Sequence, residues 1–476
     1  MKKLAIVFTV LFVNVQISAS HLMGGELIVH NDQVGNYEIL LTLYRDTLGI
    51  PMPVNKTINI YNSSGTQVTT IVATLDLTAY HPVFGIQNGS VLPFFPYGVE
   101  VYFFTASFPC FIPGEYTASW SECCRNASIQ NLVNASSADM QLFSNFTVDM
   151  VSTYSTPYFM VRPVVFLPAN TPWQYNPLPF DPEGDSLVWS LDVPHQSSLS
   201  VGSTGIPITG YTTPPSTAGG ALAIDPVTGT ISWTASVLGN FVYTVTCEEY
   251  RNGVKVGDIR RDMQFIVLPP GPVPSLLDLN TLSTTASGVP YVVATAGDPF
   301  DLNLFAIDSS VAAIGFEAYG EPFTLSNPMT YVQGTTDEPF KTKVSLMWNP
   351  TSSEARVEPY IVVLRLMNGT FSMDYTIFVY VNNSSTDISE ANNEVTVVYP
   401  NPSVDLFYKE INLVTPQDVS FQLYDMKGVL IYTLLKNLPE GSSLVPFNRH
   451  LNSGNYILHT VYEDGKSERN QISVSH

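Results

Sequence analysis

Three carboxylates stand at alternate positions of one short segment, Asp181-Pro182-Glu183-Gly184-Asp185. Glycine permits a sharp turn at this point, and Ca²⁺ is held by several oxygen atoms at once. We therefore expect Asp181, Glu183 and Asp185 to converge on one calcium ion. The alternative is a loop in which the aspartates cap backbone N–H groups. The residues that would complete the shell from neighbouring strands are Glu248, Glu249 or Asp262.

The four cysteines are Cys110, Cys123, Cys124 and Cys247. Disulfides form in exported chains, and four cysteines allow three full pairings that the sequence does not distinguish. Because adjacent cysteines bridge to each other only through a strained turn, we favour Cys110 and Cys247 as the two partners of the central pair. No CxxC spacing or neighbouring histidine supports a zinc site.

Known catalytic motifs are missing from the sequence. It contains no HExxH, no GxSxG and no Walker loop. Carboxylate pairs are plentiful in an acidic chain, so glycosidase chemistry stays open as an alternative. We expect a protein that is not an enzyme.

Composition favours strands over helices. Charged residues make up only 13% of the 476 residues, while prolines number 35 and aromatic residues reach 12%. Valine, threonine and aromatic residues fit strands, and proline and glycine mark turns. The 20 basic and 41 acidic residues give a net charge of −21, which repels nucleic acid and anionic membranes.

The N-terminus has the pattern of a secretory signal peptide over residues 1–19. Lys2 and Lys3 precede a short apolar run from Leu4 to Val15, and small residues follow at Ser18 and Ala19. No later stretch reaches about 18 uninterrupted apolar residues, so we expect no transmembrane segment in the mature chain.

Alternating apolar residues divide the rest into four β regions. We place an N-terminal β domain at 20–156, a β-sandwich at 157–269, another β domain at 275–381, a flexible polar linker at 382–393 and a small sandwich at 394–476. Thr228-Gly229 and Asn252-Gly253 predict tight turns between strands.

Three motifs stand in order in the final segment: Tyr399-Pro400-Asn401-Pro402, a hairpin containing Asp425 and Gly428, and a strand containing Gly454 and Tyr456. Together they resemble the type A sorting domain of the type IX secretion system of Bacteroidota. The resemblance implies export by that machinery, followed by release or by attachment to surface lipopolysaccharide. It departs from the family at the end of the chain, Arg469–His476, where a lysine usually stands near the terminus.

The segments DPEGDSLVWSL and IDPVTGTISW in the second region resemble cadherin-like immunoglobulin folds. We therefore expect tandem immunoglobulin-like and cadherin-like β-sandwiches on short linkers. The predicted function is that of a secreted or surface-attached structural or adhesive protein, whose partners are lipopolysaccharide, glycans or surface proteins. The alternative is an accessory protein of carbohydrate binding or polymer degradation.

Overall fold

The computed structural model describes residues 22–92, 98–163, 166–276, 278–311, 314–383, 398–463 and 467–476. The predicted signal peptide, residues 1–19, lies outside these ranges, as does most of the predicted linker, residues 384–393. Throughout the described ranges the fold is all-β, as the composition predicted. Three short 3₁₀ turns interrupt the strands, at Ala135–Ser137, Asp278–Thr281 and Glu321–Phe323.

The first region is an antiparallel sheet in the order β1-β2-β6-β4-β3-β7-β8, with β5 added beside β6. The alternation predicted for Tyr37, Ile39, Leu41 and Leu43 is confirmed, because all four are fully buried on one face of β2. Its strands are β1 (Leu22–Gln33), β2 (Asn36–Asp46), β3 (Asn55–Asn62), β4 (Gln67–Leu75), β5 (Ser90–Val91), β6 (Val99–Pro109), β7 (Gly114–Glu122) and β8 (Met140–Val148).

The second region is built around one long hairpin of β18 and β19. Its predicted turn at Asn252-Gly253 is confirmed, with φ of 53° and 77°. The strands of this region are β9 (Tyr158–Phe159), β10 (Phe166–Pro168), β11 (Trp173–Tyr175), β12 (Pro179–Phe180), β13 (Ser186–Asp192), β14 (His195–Gln196), β15 (Ile206–Pro207), β16 (Ala223–Ile224), β17 (Ile231–Trp233), β18 (Gly239–Arg251) and β19 (Val254–Leu268).

Strand β19 joins the first two regions in one 12-stranded sheet. It pairs with β8 on one side, and it also pairs with β1 through Gly24–Met263 and Glu26–Arg261. The expectation of separate sandwiches on a linker is therefore wrong for these two regions. The predicted boundary at residues 156 and 157 falls within a single hydrogen-bonded sheet.

Two glycines allow β1 to approach its neighbours this closely. A Cβ at Gly24 would overlap the carbonyl oxygen of Asp262 on β19, and one at Gly25 would lie 2.7 Å from the carbonyl oxygen of Thr42. Real Cβ atoms do not come so near to backbone oxygen. The Gly24-Gly25 pair is therefore a packing requirement of the shared sheet.

The third region has two facing sheets, β20-β23-β26-β25 and β21-β22-β28-β27-β24. Apolar side chains of both sheets form one core between them. The strands are β20 (Ser275–Leu276), β21 (Ser283–Thr284), β22 (Pro290–Thr295), β23 (Phe300–Ile307), β24 (Gly315–Tyr319), β25 (Thr330–Thr335), β26 (Lys341–Trp348), β27 (Arg356–Met367) and β28 (Ser372–Asn382).

The last module is a smaller pair of sheets, β29-β30-β33 and β32-β31-β34-β35. Its core cluster is drawn entirely from residues between Val398 and Val474. The module therefore has an apolar core of its own. Its strands are β29 (Val398–Tyr399), β30 (Leu406–Leu413), β31 (Gln417–Asp425), β32 (Leu430–Leu438), β33 (Gly441–Asn448), β34 (Gly454–Tyr462) and β35 (Ser467–Val474).

Candidate functional site

Asn401 fastens the beginning of the last module to its final strand. Its side-chain amide donates to the carbonyl oxygen of Gln471 at 3.0 Å, and its Oδ1 accepts from the backbone N–H of Ser473 at 2.6 Å. Both X–Pro bonds of the motif Tyr399–Pro402 are cis. The two hydrogen bonds of Asn401 therefore set the path by which the chain enters the module.

Asp425 and Gly428 build the hairpin between β31 and β32. The Asp425 Oδ1 accepts from the backbone N–H groups of Lys427 at 2.9 Å and Val429 at 2.8 Å. Gly428 has φ of 82°, a left-handed conformation that glycine adopts at little cost. These two residues determine the turn that the sequence predicted at this position.

Gly454 and Tyr456 shape the start of β34. Gly454 opens the strand with φ of 155°, and the buried Tyr456 donates its hydroxyl to the carbonyl oxygen of Asn452 at 2.8 Å. The sorting motifs thus act first on the fold of the module, because their side chains tie turns and strand ends together.

A second cluster lies where the predicted carboxylate loop meets β18. The loop between β12 and β13 turns at Gly184, whose φ is 81°, and Asp181 Oδ2 accepts from the backbone N–H of Asp185 at 2.5 Å. This turn brings Asp181 and Glu183 close to Glu249 on β18. One carboxylate oxygen from each of the three lies within 4.8 Å of the other two.

Glu249 is fully buried between two neighbouring strands. It stands opposite Leu187 on β13 and Gly257 on β19. A Cβ at Gly257 would lie 2.6 Å from the Glu249 carboxylate, so the glycine leaves the space that this side chain fills. The sequence indicated Glu249 only as one of three candidate ligands. The register of β18 against its neighbouring strands distinguishes Glu249 from the other two.

Four carboxylate oxygens of this cluster accept no hydrogen bond from the described part of the protein. They are Asp181 Oδ1, Glu183 Oε2 and both oxygens of Glu249. An ionised carboxylate buried without a partner costs several kcal/mol. The cluster therefore needs a positive charge, in the form of a proton or a cation.

Protonation of Glu249 and Asp181 is favoured by the surroundings of the cluster. Burial, together with the neighbouring carboxylates Asp185, Asp181 and Glu183, raises the pKa of Glu249 to about 10. Burial and the nearby charges of Glu183 and Asp185 raise the pKa of Asp181 to about 6, against the hydrogen bond from the Asp185 backbone. Glu249 therefore stays protonated at neutral pH unless a cation lies beside it.

Asp185 is not among the three carboxylates whose oxygens converge, although it neighbours Glu249. The Arg251 guanidinium binds its carboxylate, with Nε 2.9 Å from Oδ1 and Nη2 2.5 Å from Oδ2. The other two candidates for the shell are also occupied. Glu248 pairs with Lys255 at 2.6 Å and Asp262 with Arg125 at 2.6 Å.

The cysteine pairing favoured from the sequence is also wrong. Cys123 and Cys124 are bonded to each other, with Cα atoms 3.0 Å apart across the peptide bond between them. Cys110 and Cys247 are buried free thiols. They belong to two different core clusters.

Comparison with known proteins identifies the last module. The secretion system C-terminal sorting domain family matches residues 397–474, the span of β29 to β35. No curated protein matches the chain. The sorting domain predicted from the sequence is therefore confirmed. The protein is a substrate of the type IX secretion machinery, and it is secreted or attached to the cell surface.

Among the described residues, no helix combines the length and the apolar character needed to cross a bilayer.

Proposed function

We propose that this exported chain is a structural or adhesive component of the cell surface rather than an enzyme. Its first three regions would form the working body, and residues 394–476 would direct the body through the type IX machinery. The observation that carries the proposal is the set of buried charge pairs that, with their hydrogen bonds, hold the three regions together.

Two of these pairs join the first region to the second. Arg261 on β19 binds Glu26 on β1 at 2.6 Å, and both side chains are fully buried. Arg125, from the loop after β7, binds Asp262 on β19 at 2.6 Å, with both side chains at most 3% exposed. These pairs fix β19 against the first region, because separating them would expose buried charges.

A third pair lies within the third region and contacts the second region through two backbone groups. Arg365 on β27 binds Asp374 on β28 at 2.7 Å, and Asp374 also accepts from the backbone N–H of Asn176 at 3.0 Å. The same guanidinium donates to the carbonyl oxygen of Arg162 at 2.9 Å. A body held in this way suits a protein that transmits force or presents a fixed surface.

We further propose that the second region has an immunoglobulin-like, cadherin-like fold. Its support is a two-layer arrangement in which β13-β18-β19 face the small sheet β11-β17-β16. Trp173 and Trp233 lie in the core between these layers, against Phe265. Surface lipopolysaccharide or another surface protein is the proposed attachment partner.

The test compares cells that carry the intact gene with cells that lack it, on polymer-coated and uncoated surfaces. We expect attachment or coat integrity to fall severalfold without the protein, and to return when the gene is restored. The control strain exports only the sorting domain fused to an inert reporter, and it should behave as the deletion does. Unchanged attachment in the deletion strain would contradict the proposal.

A glycan array separates this proposal from polymer recognition. The purified mature chain should show no tight, selective binding to any one glycan. Selective binding, or release of sugar during incubation, would contradict a structural role and support the alternative of an accessory protein that acts on polymers.

A further inference from the structure

We propose that Asp181, Glu183 and Glu249 form a binding site for one calcium ion that fastens the second region to the first. The inference is independent of the adhesive role. It rests on the convergence of three carboxylates from two separate segments, and on a buried side chain among them whose oxygens accept no hydrogen bond from the described residues.

Glu249 provides that second observation. Its side chain is fully buried on β18, and neither carboxylate oxygen accepts a hydrogen bond from the described residues. It points to the place where Asp181 Oδ1 and Glu183 Oε2 are also buried and unpartnered. One cation at this point would satisfy all three side chains together.

The geometry and the donor atoms suit Ca²⁺. Two oxygens bound to one calcium ion at about 2.4 Å lie at most about 4.8 Å apart. The three carboxylates meet this limit, since their ligand oxygens all lie within 4.8 Å of one another. Three carboxylates without sulfur or imidazole form a hard oxygen site, which favours Ca²⁺ over transition metals.

The site lies at the junction of two regions. Glu183 also accepts, through Oε1, from the hydroxyl of Ser155 at 2.8 Å. Ser155 precedes the second region, and its hydroxyl accepts in turn from the backbone N–H of Asn31 on β1 at 3.1 Å. A bound ion would hold the loop against β18 and, through Ser155, against β1.

The neighbouring cation, Arg251, is bound to other groups and does not neutralise the three carboxylates. Arg251 is committed to Asp185, to the carbonyl oxygen of Thr153 at 3.1 Å and to the ring of Tyr154, whose centroid lies 4.0 Å from its guanidinium carbon. It therefore neutralises Asp185 rather than the cluster. This arrangement explains why the ligand set is Asp181, Glu183 and Glu249 instead of the three alternating carboxylates of the loop.

The experiment titrates the full mature chain, first stripped with a chelator, with CaCl₂ and separately with MgCl₂ by calorimetry at pH 7.5. We expect saturable Ca²⁺ binding with a dissociation constant of about 1 mM or tighter, and a rise in Tm. Magnesium should bind at least tenfold more weakly. No saturable Ca²⁺ binding up to 5 mM (about five times that limit), or no preference over Mg²⁺, would overturn the proposal.

The variant Glu249→Gln keeps the shape of the side chain and removes its charge, and the matched control is Glu248→Gln at the next position, where the carboxylate pairs with Lys255. We expect Glu249→Gln to lose calcium affinity at least tenfold and Glu248→Gln to keep it. In chelator, Glu249→Gln should melt at or above the wild-type Tm, which shows that it folds. Wild-type calcium affinity in Glu249→Gln would overturn the assignment.

Discussion

Arg261 is a fully buried cation with a complete set of partners. Its guanidinium binds both oxygens of Glu26 at 2.6 and 3.0 Å and donates to the Tyr175 hydroxyl and the Val161 carbonyl oxygen at 2.6 and 2.7 Å. The ring of Phe159 lies 4.4 Å from the guanidinium carbon. Groups from both of the first two regions therefore hydrogen-bond to, or pack against, this one side chain.

Replacing this arginine should be costly. Arg261→Met leaves Glu26 buried and unpaired, so we expect the free energy of unfolding to fall by about 3–5 kcal/mol. Urea denaturation measures this fall in the free energy of unfolding. The control is Glu338→Ala, which removes a pair whose carboxylate side chain is 69% exposed and should cost at most about 1 kcal/mol. A loss below about 1 kcal/mol for Arg261→Met would contradict the assigned role.

His81 is a second buried residue, and its burial shifts the pKa of its imidazole. Its Nδ1 accepts from the backbone N–H groups of Val83 and Phe84 at 3.2 and 3.3 Å, so its Nε2 donates to the Thr42 hydroxyl at 3.0 Å. Burial, and secondarily the charge of Arg261, lowers the pKa of His81 from 6.5 to about 3. The folded state therefore holds this imidazole neutral.

Stability should consequently depend on pH. Below pH 6.5 the unfolded chain takes up a proton at His81 that the folded chain refuses until about pH 3, so acidification through this window favours unfolding. We expect His81→Gln to reduce the slope of the free energy of unfolding against pH by up to about 1.4 kcal/mol per pH unit. The control variant is His450→Gln, which replaces an exposed histidine. Equal slopes for wild type and His81→Gln would contradict the account.

Individual partners were predictable only within short segments. The DPEGD segment predicted the meeting of Asp181 and Glu183, because both lie in one tight loop. The partner of Arg261 lies in no such segment. Strand register places Val245 opposite Arg261, and its partner Glu26 lies 235 positions away.

At the scale of elements, turn chemistry carried most of the predictive information. Asn252-Gly253 and the Asp425–Gly428 turn were identified from sequence, since few residues adopt left-handed φ. Pairings between distant strands were not predictable in the same way. The contact of β1 with β19 joins residues more than 200 positions apart, and its only local sign was the adjacent pair Gly24-Gly25.

The hairpin of the sorting domain offers a test at this scale. Gly428→Val forces a β-branched residue into a left-handed conformation, so we expect the sorting domain to lose about 1–2 kcal/mol of stability. The control Lys427→Ala lies in the same turn and should change stability by less than about 0.5 kcal/mol. Denaturant unfolding of the two variants measures the difference. Equal stabilities would show that the glycine conformation is not required.

At the scale of the whole molecule, one body and one separate module account for the described residues. The first two regions share one sheet, and the third shares core contacts and buried hydrogen bonds with the second, whereas the sorting domain keeps its core within residues 398–474. Composition predicted the all-β class, and three short motifs predicted the module. Neither predicted the shared sheet, because long-range pairing leaves no periodic signal in either partner alone.

Removal of residues 394–476 tests the central claim most directly, because that claim gives the module its own core and the task of export. The shortened chain and the full chain are expressed in the same cells, and each is located by fractionation and examined by circular dichroism. We expect the shortened chain to keep its β structure and to accumulate in the periplasm. Its normal appearance outside the cell, or its failure to fold without the module, would contradict the account.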